Sequence, residues 1–241
     1  MVRLSFVVAS LVAIAIGLHA PTISEAAAVS KAAVPAASAQ QDDVKQLLSV
    51  VLAETEDFWG ATFKADGSTY EEPKLVLFTG LIATACGPVS GTLYCAADHK
   101  IYIDPAFPEL QQIGLTGDFA KALMVAREVG HHVQTISAVP HADVTDGDLE
   151  AAIIRSEQVE LQADCFAGLW SRYVWDKGLL EDTDLTEARQ LLRSLGDDQA
   201  ANASKDSTAT RYGTSEQRIR WYDRGLAGKA IADCNTSDNP L

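Results

Sequence analysis

Apolar residues recur at helical spacing along most of the chain after residue 41. Between Asp118 and Gln134 they fall at steps of three and four residues, the period of a helix with one buried face. A longer segment, from Leu149 to Lys177, contains few helix breakers and stops at Gly178. The patterns predict five helices: Asp42–Phe58, Asp118–Gln134, Leu149–Lys177, Leu185–Leu195 and one that starts at a Thr214–Gln217 capping box.

Three short apolar runs in the first half of the chain predict β-strands. Lys74–Thr79 is bounded by a proline and a glycine, and Thr92–Cys95 and Lys100–Asp104 follow it. Pro105 and Pro108 then interrupt the pattern. Because strands come first and helices afterwards, we predict an α+β fold that is mostly helical, with a small N-terminal β-sheet.

The N-terminal segment has the features of an export signal. Arg3 supplies a positive charge, Leu4–Leu18 is an uncharged apolar run, and Ala26–Ala28 or Ala37–Ala39 fits a cleavage site. An uncleaved N-terminal anchor is the alternative. We therefore expect a periplasmic or secreted protein with a signal peptide at 1–28, a flexible linker at 29–41 and a single domain at 42–241.

The charge of the chain excludes two classes of partner. Lys and Arg total 19 against 33 Asp and Glu, which gives a net charge of −14. Such a chain repels phosphate backbones and anionic lipid surfaces, so we expect no nucleic-acid partner. No apolar run of about 18 residues follows the signal, so we expect no membrane span after signal removal. A peptide or protein partner remains.

All four cysteines lie in the exported part of the chain. In an oxidising compartment an even number of cysteines favours disulfides, and four cysteines allow three pairings. Cys86 and Cys95 flank a glycine-containing loop that can close locally, which leaves Cys165 to pair with Cys234. Free buried thiols are the alternative.

The candidate chemistry begins with Glu128 and His131. In a His-Glu-x-x-His helix, two histidines one turn apart bind Zn²⁺ and the glutamate polarises the metal-bound water. Glu128 and His131 fit this pattern, but Arg127 stands at the first histidine position. A lone Glu-x-x-His is a weak signal, because it also occurs on solvated helix faces.

A second pair of residues strengthens the signal. Glu160 and Asp164 are four residues apart inside the next long helix, so they share a face. A second helix of this kind supplies the glutamate ligand of a zinc site and an aspartate that orients a ligand histidine. The alternative is a solvated acidic face, although the residues around Asp164 are apolar.

Several sequence blocks, taken together, resemble one family. They run from Asp42 to Cys234 and are Asp57–Trp59, Pro73–Phe78, Cys86–Gly87, Leu93–Cys95, Asp98–Tyr102, Gly117–Ala120, Glu128–Gln134, Glu160–Gly168, Gly213–Arg218 and Arg220–Trp221. In number and order these blocks resemble the bacterial neutral zinc metallopeptidases, which carry an N-terminal export or anchor segment. The resemblance implies a zincin-like fold and peptide-bond hydrolysis at Zn²⁺.

The resemblance assigns roles to individual residues. It makes His131 the second metal ligand, Glu160 the third, Glu128 the general base and Asp164 the outer-shell carboxylate. Tyr212 stands where the family has a histidine, and its hydroxyl could stabilise an oxyanion as a catalytic residue. The cysteine blocks match the pairing argued above.

Arg127 departs from the family pattern at the first ligand position. A guanidinium has no lone pair to donate and stays protonated, so we expect zinc to bind weakly or not at all. We expect Arg127 to pair with Glu160 or Asp164 in the place of the ion.

Three other histidines are candidates for a replacement ligand. His132 lies about 100° around the helix from His131 and should face elsewhere. His141 follows Pro140 in a loop and could swing in. His99, between two strands, is expected to be structural or exposed.

Three functions follow from these residues, and whether the chain is an enzyme stays open between them. The first is a degenerate (pseudo)peptidase that keeps the fold and the peptide cleft. The second is an active zinc-dependent endopeptidase with an atypical ligand set. The third is a structural exported domain. The cofactor is accordingly zinc or none.

Overall fold

The computed structural model describes residues 33–137, 149–199 and 212–237. The predicted signal peptide at 1–28, residues 29–32 of the predicted linker, His141 and most of the loop before Thr214 lie outside these ranges. Contacts divide the chain into the units Met1–Ala39 and Gln40–Leu241, and the fold below is that of the second unit.

The first helix, α1, spans Ala33–Ala65. Residues 33–41 are therefore helical, whereas we had expected flexible linker there. The prediction was wrong because Ala-rich sequence was interpreted as linker, although alanine has the highest helix propensity and an adjacent helix can extend into it.

Five strands follow α1. They are β1 (Lys74–Leu77), β2 (Ile82–Thr84), β3 (Gly87–Val89), β4 (Thr92–Cys95) and β5 (Lys100–Ile103). In the main sheet β5 lies between β1, which is parallel to it, and β4, which is antiparallel. The strand β4 is thus an edge of this sheet. The strands β2 and β3 form a separate hairpin that we did not predict, because its short, Gly- and Pro-containing segments carry little alternation.

Five helices and a 3₁₀ turn complete the described fold. They are α2 (Pro108–Gln112), α3 (Asp118–Ile136), α4 (Leu149–Asp176), α5 (Asp182–Ser194), α6 (Ser215–Ala227) and the 3₁₀ turn Ile231–Cys234. The structure is α+β and mostly helical, as predicted. The capping box of Thr214 and Gln217 is present at the start of α6. The strand pattern ends before Pro105, as expected, and the short helix α2, which we did not predict, begins at Pro108 because a proline is tolerated in the first turn of a helix.

Glycines allow α4 and α6 to pack backbone against backbone. A Cβ atom at Gly225 would lie 1.9 Å from the carbonyl oxygen of Cys165, and one at Gly168 would lie 2.2 Å from that of Tyr222. No side chain fits at such distances, so the helix spacing depends on both glycines.

Both predicted disulfides are present in the structure. Cys86 is bonded to Cys95, and Cys165 is bonded to Cys234, so the 3₁₀ turn near the C-terminus is tied to the middle of α4. None of the helices within the described ranges combines the length and the apolar character needed to cross a membrane.

Candidate functional site

The helices α3 and α4 bring the predicted site residues together. Arg127 and His131 lie one turn apart on α3, and Glu160 and Asp164 lie one turn apart on α4. The helices approach closely at Gly130, where a Cβ atom would lie 3.3 Å from a backbone oxygen of α4. The four side chains therefore meet across a narrow junction.

Arg127 binds both carboxylates of α4. Its Nε donates to Oδ1 of Asp164 at 2.5 Å, and its Nη2 donates to Oε2 of Glu160 at 2.9 Å. Arg127 is 5% exposed and Asp164 is fully buried. This is the ion pairing that we expected of Arg127, made to both partners instead of one.

The electrostatics of this cluster favour the charged forms of Arg127 and Glu160. Burial alone would lower the pKa of Arg127, but the charges of Asp164, Glu160 and Glu128 outweigh it, so the pKa is raised. Burial would raise the pKa of Glu160, but the nearby His131, Arg127 and Arg218 lower it. We therefore treat Arg127 and Glu160 as a charged pair at neutral pH.

Arg218, on α6, belongs to the same cluster and was not singled out from the sequence. It is 2% exposed; its Nη2 donates to Oδ1 of Asp164 at 3.2 Å and its Nη1 to the carbonyl oxygen of Tyr212 at 2.7 Å. Burial lowers the pKa of Arg218, as does the charge of Arg127, while Asp164 raises it. An arginine on the core side of an amphipathic helix was the signal that could have identified it, since a buried cation needs a partner.

His131 is oriented by Gln134, which sequence reasoning also missed. Gln134 donates from Nε2 to the carbonyl oxygen of Val159 at 2.7 Å and to Oε1 of Gln162 at 3.0 Å. Its amide oxygen is thereby turned towards Nδ1 of His131, at 2.9 Å. This network assigns the proton of a neutral His131 to Nδ1, which leaves the lone pair on Nε2, 3.7 Å from Oε1 of Glu160.

Glu128 is directed away from α4, towards the sheet. It is 6% exposed, and its Oε2 accepts the backbone N–H of Tyr94 at 2.6 Å. This carboxylate thus satisfies a backbone donor of β4, which is an edge strand among the described residues.

The remaining candidates have other environments. His132 is fully buried; its Nε2 donates to the carbonyl oxygen of Glu71 at 2.5 Å, so its Nδ1 accepts from the hydroxyl of Tyr94 at 3.1 Å. As predicted it faces away from His131, and with both ring nitrogens engaged it is not a replacement ligand. His99 is exposed. Tyr212 is 46% exposed, and its pKa is raised by burial and then by the charge of Glu160.

These residues do not fit a zinc ion as they are arranged. Zinc sites take lone-pair donors, whereas a protonated guanidinium occupies the first ligand position and engages an oxygen of the third ligand, Glu160. Across the described part of the chain, no three or more His, Cys, Asp or Glu side chains are grouped so that they could hold a metal ion.

Over most of its length, this chain is similar to a family model and to several bacterial proteins. Residues 3–237 match the family model described as "Putative neutral zinc metallopeptidase". The chain is 39% identical over 210 residues to the uncharacterized protein YpfJ of Escherichia coli K12, an alignment that covers 83% of this chain and 73% of YpfJ. It is 33% identical over 187 residues to the uncharacterized protein Mb2605 of Mycobacterium bovis, covering 69% and 63% of the two chains. No solved structure gives a significant match.

Proposed function

Because the chain belongs to the neutral zinc metallopeptidase family, we propose that it is a degenerate, zinc-free member that binds a peptide or protein without hydrolysing it. One observation carries the proposal. The guanidinium of Arg127 is bound to both Glu160 and Asp164, so the place where the family pattern needs a metal ligand holds a cation.

The chemistry of the remaining residues supports the same conclusion. Zinc lowers the pKa of a bound water to about 7, and without zinc a carboxylate generates little hydroxide. Glu128, the predicted base, accepts the N–H of Tyr94 with one oxygen. Tyr212 remains exposed enough to contact a ligand, although a single hydroxyl does not replace a Lewis acid.

Export forms the second part of the proposal. Two disulfides in the fold are typical of proteins that mature in an oxidising compartment, because cytosolic thiols are kept reduced. We propose a periplasmic or secreted location, with the N-terminal segment acting as signal or anchor.

A second candidate, an active zinc endopeptidase, is favoured by the geometry of His131. Gln134 holds its Nδ1, and Nε2 lies 3.7 Å from Oε1 of Glu160, so two lone-pair donors remain near each other. If Arg127 moved away, these two groups would form an incomplete metal site.

A comparison of the natural chain with Arg127→His separates the two functions. Both proteins, purified from the exported fraction, would be measured for zinc content and for casein cleavage with and without a chelator. We expect the natural chain to contain no stoichiometric zinc and to leave casein intact, and Arg127→His to bind zinc. Chelator-sensitive cleavage by the natural chain would refute the proposal and establish the second candidate.

Peptide binding is tested separately, with the metal excluded. Fluorescently labelled casein fragments would be titrated with the natural chain in the presence of a chelator, and their anisotropy measured. Saturable binding that Tyr212→Ala weakens is the expected result. No binding at any concentration would favour the third function, a purely structural exported domain.

A further inference from the structure

The junction of α3 and α4 contains two cations and two anions. The side chains of Arg127 and Arg218 are 6% and 2% exposed, and those of Glu160 and Asp164 are 20% and 0% exposed. Buried carboxylates of this kind are costly to ionise unless cations neutralise them. Each arginine therefore offsets part of the cost of burying these two carboxylates.

Arg218 alone does not satisfy the two carboxylates. It reaches Oδ1 of Asp164 at 3.2 Å, but its Nη1 is 4.0 Å from Oε2 of Glu160, which is beyond a hydrogen bond. The hydrogen bond that the structure gives the Glu160 carboxylate comes from Arg127.

Arg127 also joins the two helices mechanically. Its Nε and Nη2 bind carboxylates that are one turn apart along α4, so a single planar group spans a full turn of the neighbouring helix. A Lys ammonium at this position would offer one point charge in place of the planar fork.

We propose that the Arg127 guanidinium is the permanent structural cation of this site, linking α3 to α4 through Asp164 and Glu160 and making the stability of the fold independent of divalent metal. The inference rests on the proposal that the chain works without zinc. The inference goes beyond that proposal, because a zinc-free protein could also carry a side chain at position 127 that contributes nothing to the stability of the fold.

The stability of four variants tests this role. Arg127→Met keeps the length of the side chain and removes the cation, and we expect its Tm to fall by roughly 10 °C. Adding Glu160→Gln should recover part of that loss, since it removes the carboxylate left without its donor. Arg127→Lys should fall between the natural chain and Arg127→Met. The control, Arg189→Met, removes an arginine whose pair with Asp223 is on the surface, and should change Tm little.

A rescue experiment tests the shape of the site. In Arg127→Ala we expect guanidinium chloride at millimolar, non-denaturing concentration to raise the Tm, while sodium chloride of equal ionic strength does not. The natural chain should show no rise with guanidinium and no fall with a chelator. If Arg127→Ala and Arg127→Met do not fold, the Tm of Arg127→Lys tests the same role, since it should be lower than that of the natural chain.

Two results would overturn the inference, and neither depends on activity. They are an Arg127→Met protein as stable as the natural chain, or a double variant with Glu160→Gln that loses the sum of the two single losses. Zinc bound by the natural chain would instead overturn the proposed function. A natural chain that lacks zinc but tolerates Arg127→Met leaves that function standing and refutes only the structural cation.

Discussion

The helix α3 presents Arg127 and His131 towards α4. The residue after each of them, Glu128 and His132, points towards the sheet instead. The α4 side is joined by an ion-pair cluster in which Arg127 binds two carboxylates. On the sheet side, the hydrogen bonds involve two backbone groups and the hydroxyl of Tyr94.

The difference shows which side of α3 is sensitive to substitutions that change charge. Ion pairs depend on the charge of every member, so the α4 side responds to any substitution that alters the charge balance. Backbone groups cannot be mutated away, so the sheet side keeps its demand for one acceptor and one donor whatever occurs across the helix. Four measurements, from the largest expected effect to the smallest, test this contrast.

Asp164→Ala should produce the largest loss of stability, on the α4 side. It leaves Nε of Arg127 and Nη2 of Arg218 without their buried acceptor, which costs about 3–5 kcal/mol. Urea unfolding would measure it, with Asp223→Ala as the control, because the surface pair of Asp223 with Arg189 contributes about 1 kcal/mol or less. Equal losses in the two variants would contradict a charge-dependent junction.

His132→Phe should cost less, on the sheet side. An aromatic ring is retained, but the carbonyl oxygen of Glu71 loses its donor and the hydroxyl of Tyr94 loses its acceptor, which costs about 2 kcal/mol in urea unfolding. Lys45→Met provides the control, because it removes only an exposed ion pair with Asp42, which contributes about 1 kcal/mol or less. A neutral outcome for His132→Phe would mean that water replaces both hydrogen bonds.

Mild acid should weaken the sheet side through His132. Burial lowers the pKa of His132, so below an unfolded-state pKa of about 6.5 the unfolded chain binds more protons than the folded one. Stability therefore falls as pH decreases, and between pH 6.5 and 5.5 the loss due to His132 is at most about 1.4 kcal/mol. The natural chain should lose more than His132→Phe over this interval; parallel curves would exclude His132 as the source.

Glu128→Gln should have the smallest effect. The amide oxygen still accepts the N–H of Tyr94, so the loss is limited to the advantage of a charged acceptor and the attraction between Glu128 and Arg127, about 1 kcal/mol or less. In the Arg127→His background the same change should abolish any zinc-dependent casein cleavage while sparing zinc binding. A large loss of stability would show that the charge of Glu128, beyond its hydrogen bond, supports the fold.

Local sequence patterns predicted what depends on neighbours along the chain. Helical spacing located α3 and α4 to within two residues, and the four-residue steps placed Arg127 with His131 on one face of α3 and Glu160 with Asp164 on one face of α4. The pairing of Cys86 with Cys95 followed from loop closure. The extension of α1 back to Ala33 was missed because composition alone suggested linker.

Two contacts between distant segments were not predicted from the sequence. The bond from Tyr94 to Glu128 depends on how the edge strand β4 sits against α3, 34 residues away. Arg218 binds Asp164, which is 54 residues away along the chain, and the spacing of apolar residues within α6 does not predict which side chain of another helix Arg218 contacts. The roles of Glu128, His131, Glu160 and Tyr212 in chemistry stay predictions, whereas the contacts of Arg127 are now defined.

The absence of a side chain at Gly225 has an effect well away from its own position. It lies two turns after Arg218 on α6, at the point where the helix rests on the carbonyl oxygen of Cys165. A methyl group at this position would overlap that carbonyl oxygen. It would therefore push α6 away from α4 and move the Arg218 guanidinium away from Asp164. A substitution at the far end of α6 can thus break the ion-pair cluster without touching any of its charged residues.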